Sequence, residues 1–372
     1  MNVFIAGTSF RLDYGGPAVS VSHLAGALAD AGVRVGLWAP DGSATASDVV
    51  PRARDNLIRL AGSLEAALER FGPPVVFHDN GLWLPHNHRI ATLTHQRGIA
   101  RIVSVRGMLQ PWAIRHKRIK KAIAWHLYQR RDLRMATLLH ATADLEIDAV
   151  RALGVTTPIV KIANGVDLPV HSCESVRPTQ QENGRIALFL SRINPKKGLP
   201  MLLEAWARLR PSGWRLLIAG PDEGGHRAEV EALVVRHRLT GDVSFLGPVK
   251  GEAKTSAYRT ADLFLLPTYS ENFGMVVTEA LSYGVPVLTT RGAPWRELET
   301  ERCGWWVEPT VDGILTGLTE ATAATSETLV KMGRRGRSLV AARYGWQSIA
   351  QQFLATYARV ISDADLSERS FG

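Results

Sequence analysis

The sequence predicts an α/β protein made of two doubly wound domains in series, each a parallel sheet covered by helices. Strand-like and helix-like segments alternate along nearly all of the 372 residues, a pattern typical of parallel sheets with helices packed on them. The alternation stops in a stretch rich in Pro, Ser, Gln and Asn at residues 168–184 and then starts afresh. A chain of this length suits two domains of ordinary size.

Short apolar runs in the first half of the chain predict buried strands. They lie at residues 2–6, 33–38, 74–78, 102–105 and 138–141. Residues 17–31 predict the first helix, because proline is favoured at a helix start and apolar residues then recur at helical spacing. The first predicted domain spans residues 1–170, and residues 171–184 are the predicted linker.

The second half of the chain repeats the alternation and predicts a second domain over residues 185–345. Its predicted strands lie at residues 185–190, 214–219, 243–246, 263–266 and 285–289. Helices are expected at 199–209 and at 276–283, where Gly284 supplies the usual end signal. A last helix begins at Trp346, well past the final strand, and forms the predicted C-terminal segment 346–372.

Composition narrows the class of protein. Apolar residues make up 45% of the chain, so a large core can form, and no run approaches the ~20 apolar residues of a membrane span. The first residues predict a strand and a turn rather than a signal peptide. Two cysteines, Cys173 and Cys303, have no metal-binding spacing. A cytoplasmic enzyme is the default expectation.

The net charge of +9 first suggests nucleic acid as a partner. However, residues 101–134 contain ten Lys or Arg and one acid, Asp132, so this segment alone carries +9 and the remainder is neutral on balance. One basic patch fits an anionic membrane or a phosphorylated acceptor at least as well. We therefore expect no nucleic-acid partner.

Residues 112–134 predict a basic amphipathic helix. Ile119, Ile123 and Leu127 form an apolar stripe among Arg115, Lys117, Arg118, Lys120 and Lys121. Such a helix is typical of binding to a membrane surface. The alternative is a solvated helix whose stripe faces the core, and one helix could also do both.

The most informative motif joins the predicted strand 263–266 to the predicted helix 276–283. Glu271 stands before the helix and Glu279 lies about two turns inside it, with Asn272-Phe273-Gly274-Met275 at the helix start. Unpaired N–H groups and the helix dipole make such a start a phosphate site. A carboxylate on each side suits a ligand with hydroxyls at both ends of a phosphate.

Two other loops follow predicted strands and suit an anion. Ser191-Arg192-Ile193-Asn194-Pro195-Lys196-Lys197-Gly198 brings cations to a strand end beside a helix start, which suits a diphosphate. Gly15-Gly16 precedes the first helix and would let the backbone approach an anion closely. The loop that contains it is neither a Walker A loop nor a dinucleotide fingerprint.

The Glu271-x7-Glu279 pattern resembles the retaining nucleotide-sugar glycosyltransferases of family 4, which have the GT-B fold. The resemblance implies that Glu279 binds the ribose hydroxyls, and that Glu271 with Asn272, Phe273, Gly274 and Met275 holds the donor sugar. Arg192 and Lys197 match the cations that neutralise the leaving diphosphate. Val249 matches a backbone position near the base, and Gly15 and Gly16 match a loop at the donor phosphate.

The chain departs from the family pattern at one position. Many members carry a histidine after the strand that corresponds to residues 102–105, and Arg106 stands there instead. A subgroup acting on bacterial surface polysaccharides has a similar Arg-Gly-Met-Leu segment. Arg106 could place positive charge near a donor or acceptor phosphate, and His78 and Asn80 are candidates for the acceptor side, although a structural His78 is equally compatible.

The resemblance implies an activity, a partner set and a domain arrangement. We expect retaining transfer of a hexose from a UDP- or GDP-sugar to a glycan or polyprenyl-linked glycan acceptor, in bacterial exopolysaccharide or O-antigen synthesis. No cofactor or metal is expected, and His86 and His88 lack further ligands. The C-terminal helix should return to the first domain. A nucleotide-sugar epimerase of the same fold and a basic nucleic-acid-binding protein are the alternatives.

Overall fold

The computed structural model describes residues 1–11, 14–46, 49–50, 54–169 and 184–369. The chain forms two compact units. Unit 1 comprises Met1–Gly165 and the chain from Trp346 onward, and unit 2 comprises Val166–Gly345. The predicted linker at 171–184 lies outside the described residues, except for Gly184.

Unit 1 is a seven-stranded parallel sheet with helices on both faces. Its strands are β1 (Asn2–Ala6), β2 (Arg34–Trp38), β3 (Leu57–Leu60), β4 (Val76–Asn80), β5 (Ala100–Ser104), β6 (Leu138–Ala141) and β7 (Ile159–Lys161). They lie in the order β3-β2-β1-β4-β5-β6-β7. Its first eight helices are α1 (Gly16–Asp30), α2 (Ser43–Ala46), α3 (Leu64–Phe71), α4 (Pro85–Gln96), α5 (Pro111–Arg115), α6 (Arg118–Ala124), α7 (Arg130–Arg134) and α8 (Asp144–Ala152).

Unit 2 is a six-stranded parallel sheet of the same construction. Its strands are β8 (Arg185–Leu190), β9 (Trp214–Ala219), β10 (Val243–Gly247), β11 (Leu263–Leu266), β12 (Val287–Thr290) and β13 (Gly304–Val307), in the order β10-β9-β8-β11-β12-β13. Its helices are α9 (Leu199–Leu209), α10 (His226–Arg236), α11 (Gly251–Thr260), α12 (Met275–Ser282), α13 (Glu297–Thr300), α14 (Val311–Ala323) and α15 (Ser326–Arg343). The two parallel sheets confirm the predicted fold class.

The last helix, α16 (Trp346–Arg369), belongs to unit 1. Phe353 and Tyr357 of α16 join the core that Val3 and Ile5 of β1 form with α1. Phe4, the strand residue between them, faces the opposite side and packs with α3 and α4, because successive strand side chains alternate faces. Each face of the unit 1 sheet is therefore covered.

The predicted basic helix 112–134 is wrong as a single element. The segment consists of α5, α6, a π-helical turn at Trp125–Gln129 and α7. Lys117 adopts a left-handed backbone with φ of 55°, a conformation that ends α5 and re-aims the chain before α6. Among the described residues, no helix is both long enough and apolar enough to cross a membrane.

Candidate active site

The loops after β8 and β11, which are neighbouring strands, are joined at the carboxyl edge of the unit 2 sheet. The carbonyl oxygen of Lys196 accepts hydrogen bonds from Tyr269 N at 2.9 Å and from Thr268 Oγ1 at 3.1 Å. Gly198 has φ of +70°, and a Cβ there would lie 1.9 Å from the carbonyl oxygen of Pro267. Only glycine therefore allows this close approach, which sets Lys197 beside Glu271.

Lys197 and Glu271 form a buried ion pair, with the Lys197 ammonium donating to Glu271 Oε2. Their side chains are 9% and 16% exposed. Burial acts to raise the pKa of Glu271, but the charge and hydrogen bond of Lys197 and the charge of Lys196 outweigh it, so that this pKa lies below its ordinary value. Glu271 is thus anionic at neutral pH, and the pair leaves Lys197 fixed in one position.

The turn before α12 is held by aromatic packing. The Phe273 ring is buried against Trp295 and Tyr344, and the indole Nε1 of Trp295 donates to the Phe273 carbonyl oxygen at 2.5 Å. Gly274 has φ of +83° and caps α12. The first N–H groups of an α-helix have no partner inside the helix. Phe273 thus acts by fixing the backbone of Gly274 and Met275, rather than by presenting its side chain.

Glu279, in the second turn of α12, is held by two residues of α11 that the sequence analysis did not identify. Lys254 Nζ donates to Glu279 Oε1, and the Tyr258 hydroxyl donates to Oε2, each at 2.7 Å. Burial, together with the charge of Glu279, raises the pKa of Tyr258 well above its ordinary value, so that its hydroxyl stays a donor. The four-residue spacing of Lys254 and Tyr258 was the available signal, because it puts both on one face of a helix.

Arg192 lies at the start of the same β8 loop as Lys197, and Val249 lies in the loop after β10. Arg192 Nη1 contacts both carboxylate oxygens of Glu223, at 3.0 and 2.8 Å, and its side chain is exposed. Its guanidinium thus has a surface partner that sequence reasoning missed. Val249 is half-buried two residues beyond β10 and just before α11.

In unit 1, Gly15 and Gly16 form the turn that opens α1. Gly15 has φ of +86°, and among the described residues no atom lies within 4 Å of a Cβ built on either residue. A helix start with such an open backbone is a suitable place for an anion to approach.

Arg106 is the charged centre of a polar cluster at the carboxyl edge of the unit 1 sheet. Its Nη1 donates to Asn164 Oδ1 at 2.7 Å, and its Nε and Nη2 donate to Asn80 Oδ1 at 3.2 and 2.8 Å. Ser20 Oγ of α1 lies 3.5 Å from Nη1. Burial lowers the pKa of Arg106 to about 10, so the guanidinium is charged at neutral pH and is hydrogen-bonded by neutral oxygens.

The backbone at Arg106 is set by a buried carboxylate. Arg106 and Gly107 both have positive φ, 48° and 71°. Glu146 of α8 accepts a hydrogen bond from Gly107 N and two more from Thr142. Burial raises the pKa of Glu146, although these hydrogen bonds and the charge of Arg106 act to lower it. Sequence reasoning missed Glu146, which anchors the loop carrying Arg106.

His78 and Asn80, the two candidates for the acceptor side, are both buried. His78 has no exposed surface, and its ring nitrogens contact the Tyr357 hydroxyl and Ser104 Oγ, each at 2.7 Å. Burial lowers its pKa well below the ordinary value. We correct the acceptor-side role of His78 to a structural one, because a substrate cannot reach a fully buried ring. Asn80 acts by holding Arg106.

The apolar stripe of the basic segment does not face the core. Ile119, Ile123 and Leu127 are 77%, 55% and 74% exposed, and Trp112 is also exposed. This excludes the alternative in which the stripe packs inside unit 1. We call Trp112, Ile119, Ile123 and Leu127 the apolar ridge.

The possible metal pair at residues 86 and 88 does not assemble. His88 Nδ1 lies 2.8 Å from Asp132 Oδ2, and the His86 ring packs edge-on against Trp38. In the described ranges, no group of three or more His, Cys, Asp or Glu side chains is arranged to hold a metal ion.

The chain has two Rossmann-like units, and cations, carboxylates and a helix start lie at one sheet edge. These features define a sugar transferase of the GT-B type. Comparison with known families identifies the glycosyltransferase family. Residues 14–169 match the family described as Glycosyltransferase Family 4, and residues 174–339 match Glycosyl transferases group 1. The chain belongs to glycosyltransferase family 4, of the GT-B fold.

Curated relatives include the D-inositol 3-phosphate glycosyltransferases of Mycolicibacterium smegmatis and Mycobacteroides abscessus. The first is 33% identical over 223 residues, covering 54% of this chain and 47% of the relative. The second is 34% identical over 219 residues, covering 55% and 47%. The aligned region thus spans about half the length of these relatives.

Solved structures show the same fold at low identity. Sucrose-phosphate synthase from Thermosynechococcus elongatus has a TM-score of 0.80 at 20% identity, covering 98% of this chain and all of that one. Anabaena HepE in complex with UDP and glucose has a TM-score of 0.71 at 18% identity, covering 96% and 100%. WaaG, described as involved in lipopolysaccharide biosynthesis, has a TM-score of 0.66 at 16% identity, covering 94% and 98%.

Proposed function

We propose that this protein is a retaining glycosyltransferase that moves a hexose from a UDP- or GDP-sugar to a glycan or polyprenyl-linked glycan acceptor. One observation carries the proposal. Lys197, Glu271 and the start of α12 belong to connected loops at the carboxyl edge of the unit 2 sheet, where open α/β sheets bind ligands. Glu279 lies in the second turn of the same helix. The complex of HepE with UDP and glucose supports a nucleotide-sugar donor.

In this proposal the leaving diphosphate lies against positive charge. The bond between the sugar C1 and the phosphate oxygen breaks, and its electron pair stays on the diphosphate. Lys197, Arg192 and the N–H groups at the start of α12 stabilise that growing negative charge, which is the main catalytic task. Arg192 would exchange its exposed contact with Glu223 for the phosphate, and an exposed ion pair contributes little free energy.

The acceptor hydroxyl attacks C1 from the face that the diphosphate leaves, and its proton passes to a leaving phosphate oxygen. Retention of configuration follows from this same-face attack. Glu271 is held anionic by Lys197 and would accept hydrogen bonds from sugar hydroxyls. Glu279, oriented by Lys254 and Tyr258, would accept those of the ribose. The open Gly15-Gly16 turn would receive the donor phosphate, and Val249 would lie near the base.

We place the reaction at the inner face of a bacterial cytoplasmic membrane, in surface-polysaccharide or O-antigen synthesis. The apolar ridge and its surrounding cations fit peripheral binding to an anionic bilayer. The involvement of the structurally similar WaaG in lipopolysaccharide biosynthesis supports this setting. We further propose that the enzyme needs no metal, because Lys197 and Arg192 supply the positive charge.

The decisive experiment incubates the purified protein with a panel of radiolabelled nucleotide sugars, with and without lipid extract, in the presence of EDTA. We expect release of nucleoside diphosphate and transfer of label from one donor when an acceptor is present, with retained anomeric configuration. Acceptor-independent change of the sugar alone would establish an epimerase. Nucleic-acid binding without any donor cleavage would establish the non-enzymatic alternative, and loss of activity in EDTA would end the metal-independent mechanism.

A further inference from the structure

An apolar pocket of about 470 Å³ lies in unit 1 beside the basic segment, between the loop that follows Arg106 and helix α8. Its apolar lining comes from the β5–α5 loop, α5, and the end of α8: Leu109, Pro111, Ile114, Ala149, Ala152 and Leu153. Pockets of ~300–1,000 Å³ with mainly apolar walls are typical of small-ligand sites. None of the residues given a donor role above lines this pocket.

Two arginines complete the lining of this pocket. Arg115 ends α5 and Arg118 begins α6, and both side chains are exposed. Within the ranges that the structure describes, neither arginine forms an ion pair. An apolar cavity whose only charged lining groups are two unneutralised guanidinium ions is complementary to an amphiphile with an anionic head. Arginine forks match phosphate oxygens in particular.

The pocket is structurally connected to Arg106. Leu109 is three residues beyond Arg106, and Glu146 of α8 accepts the hydrogen bond of Gly107 N that fixes this loop. Two of the lining elements, the β5–α5 loop and α8, are therefore tied together by the contact that fixes the backbone next to Arg106. A ligand held in the pocket would have its head group on the same side of unit 1 as the basic segment.

We propose that this pocket binds the lipid end of the acceptor, with a prenyl chain against the apolar wall and its phosphate on Arg115 and Arg118. The inference rests on the proposed function, because it names the lipid carrier of that acceptor. A single chain suits the volume of the pocket, and the exposed apolar ridge of the same segment would lie at the bilayer from which the chain emerges.

Calorimetric titration with farnesyl phosphate, below its micellar concentration and without donor, tests the proposal. We expect saturable binding that is at least about tenfold tighter than binding of farnesol or of inorganic phosphate, since hydrogen bonds to charged groups are worth about a factor of ten or more. Equal binding of farnesol would overturn the role of the arginines. Equal binding of inorganic phosphate would overturn the role of the apolar wall.

Paired variants locate the site. Ala152→Trp fills the pocket from an exposed position of α8 and should weaken farnesyl phosphate binding at least ~10-fold. Leu145→Trp, at an exposed position of the same helix outside the pocket, should leave it unchanged. The double variant Arg115→Gln, Arg118→Gln should lose farnesyl phosphate affinity to the same extent as Ala152→Trp. Arg70 is an exposed arginine of α3 outside the pocket, and Arg70→Gln should keep the wild-type affinity. Wild-type affinity in Ala152→Trp with an intact thermal transition would refute the site.

The transfer reaction separates this inference from the proposed function. On a lipid-linked acceptor, Ala152→Trp should raise KM at least ~10-fold with little change in kcat, and on a soluble glycan acceptor both should stay at the wild-type values. Equal KM changes on both acceptors would overturn the pocket assignment. If no donor is cleaved with any acceptor, the proposed function fails, while the donor-free titration still decides whether the pocket binds the prenyl phosphate.

Discussion

At the scale of single residues, the donor site depends on side chains that orient other side chains. Glu279 has its two carboxylate oxygens engaged by Lys254 and Tyr258 before any ligand binds. Because a carboxylate oxygen has more than one lone pair, both oxygens can still accept hydrogen bonds from a ribose. Lys254 and Tyr258 thus restrict the rotation of the Glu279 side chain before ribose binds, so that ribose binding has less side-chain entropy to remove.

We predict that Tyr258→Phe weakens UDP or GDP binding severalfold, because one of the two hydrogen bonds that orient Glu279 is lost. A net contribution of about 1 kcal/mol is typical of such a bond. Tyr283→Phe is the matched control, since Tyr283 stacks on Tyr258 with ring centroids 5.3 Å apart and its hydroxyl contacts Thr255. Calorimetry that shows equal affinities in both variants would contradict this role for Tyr258.

We predict that Lys197→Met destabilises unit 2 by about 3–5 kcal/mol near neutral pH, because Glu271 remains as a buried unpaired charge. Lys197→Met with Glu271→Gln should recover most of this loss, since no charge remains. Urea unfolding at pH 7.5 measures both variants. A double variant no more stable than the single one would show that packing, rather than charge, causes the loss.

The sign of the pH dependence follows from Glu271. In the wild type its pKa is depressed, so that its contribution is present above the unfolded value and fades as the pH falls. In Lys197→Met the carboxylate is buried without its cation and its pKa rises, so that protonation relieves the penalty. The stability difference between the two proteins should therefore shrink from pH 7.5 to pH 5.

At the scale of elements, the basic segment combines charge with an exposed apolar surface. We predict that replacing Lys117, Arg118, Lys120 and Lys121 with Gln strongly reduces binding to anionic vesicles, at about 1 kcal/mol per cation. Salt should weaken the wild-type binding by screening. Sedimentation with vesicles containing phosphatidylglycerol, and with neutral vesicles as the comparison, measures this. Binding that ignores both lipid charge and salt would contradict the electrostatic part.

The apolar ridge contributes separately from the charges. Ile119→Ser with Leu127→Ser should lower binding to the same anionic vesicles without changing the salt dependence, because apolar burial is not screened by ions. Leu246→Ser is a matched control, since Leu246 is an exposed leucine of unit 2. Equal losses in the control and in the ridge variant would show that the ridge has no special role.

The sequence predicted the elements well where their signals are local. Alternation of strand and helix patterns predicted both sheets, and the apolar run at 263–266 followed by helical spacing at 276–283 predicted the helix start between Glu271 and Glu279. The single helix over residues 112–134 was wrong because the left-handed backbone of Lys117 has no signature in a run of good helix formers. The strands β3, β7 and β13 were missed. The comparably short β6 and β11 are fully buried, mainly apolar runs, whereas these three are only partly buried and give no such signal.

Contacts between distant residues were beyond the sequence. Helix packing brings Lys254 and Tyr258 to Glu279, and the folded chain brings Glu146 to Gly107. The spacing of Lys254 and Tyr258 shows that they share a helix face, but no local pattern names the distant residue that they contact. The burial of His78 depends likewise on α16, which comes from the far end of the chain. His78, at the end of a predicted strand, was a candidate polar group, and only the packed structure shows that solvent does not reach it.

At the scale of the whole molecule, a buried series of hydrogen bonds joins the C-terminal helix α16 to strands β4, β5 and β6 of unit 1. His140 Nε2 lies 2.8 Å from the carbonyl oxygen of Ile162, so this nitrogen carries the proton. Its Nδ1 then accepts from Ser104 Oγ at 2.6 Å, Ser104 accepts from His78 Nε2, and His78 Nδ1 accepts from the Tyr357 hydroxyl of α16. Every link is satisfied only while both imidazoles are neutral.

This arrangement makes unit 1 sensitive to acid. Burial, then the charge of Arg106, lowers the pKa of His140 to about 3, and burial also holds the pKa of His78 well below 6.5. At a pH between these lowered pKa values and the ordinary imidazole pKa of 6.5, the two histidines bind protons in the unfolded chain but not in the folded one. Stability should therefore fall with falling pH by about 1.4 kcal/mol per pH unit for each imidazole. Asp79 acts in the opposite direction, because burial raises its pKa to about 7.

We predict that His140→Gln flattens the acid loss of stability by about 1.4 kcal/mol per pH unit between pH 4.5 and pH 6. Asp79 is present in both proteins, so its opposing effect cancels in the difference between the wild type and the variant. Urea unfolding at several pH values measures the slope of the unfolding free energy against pH. This slope does not depend on any pH-independent loss of stability that the substitution causes. His237→Gln is the control, because His237 belongs to unit 2 and takes no part in this series of hydrogen bonds. Parallel slopes for the wild type and His140→Gln would mean that the buried ring is protonated in the folded protein, and that Ser104 and Tyr357 do not hold α16 through neutral imidazoles.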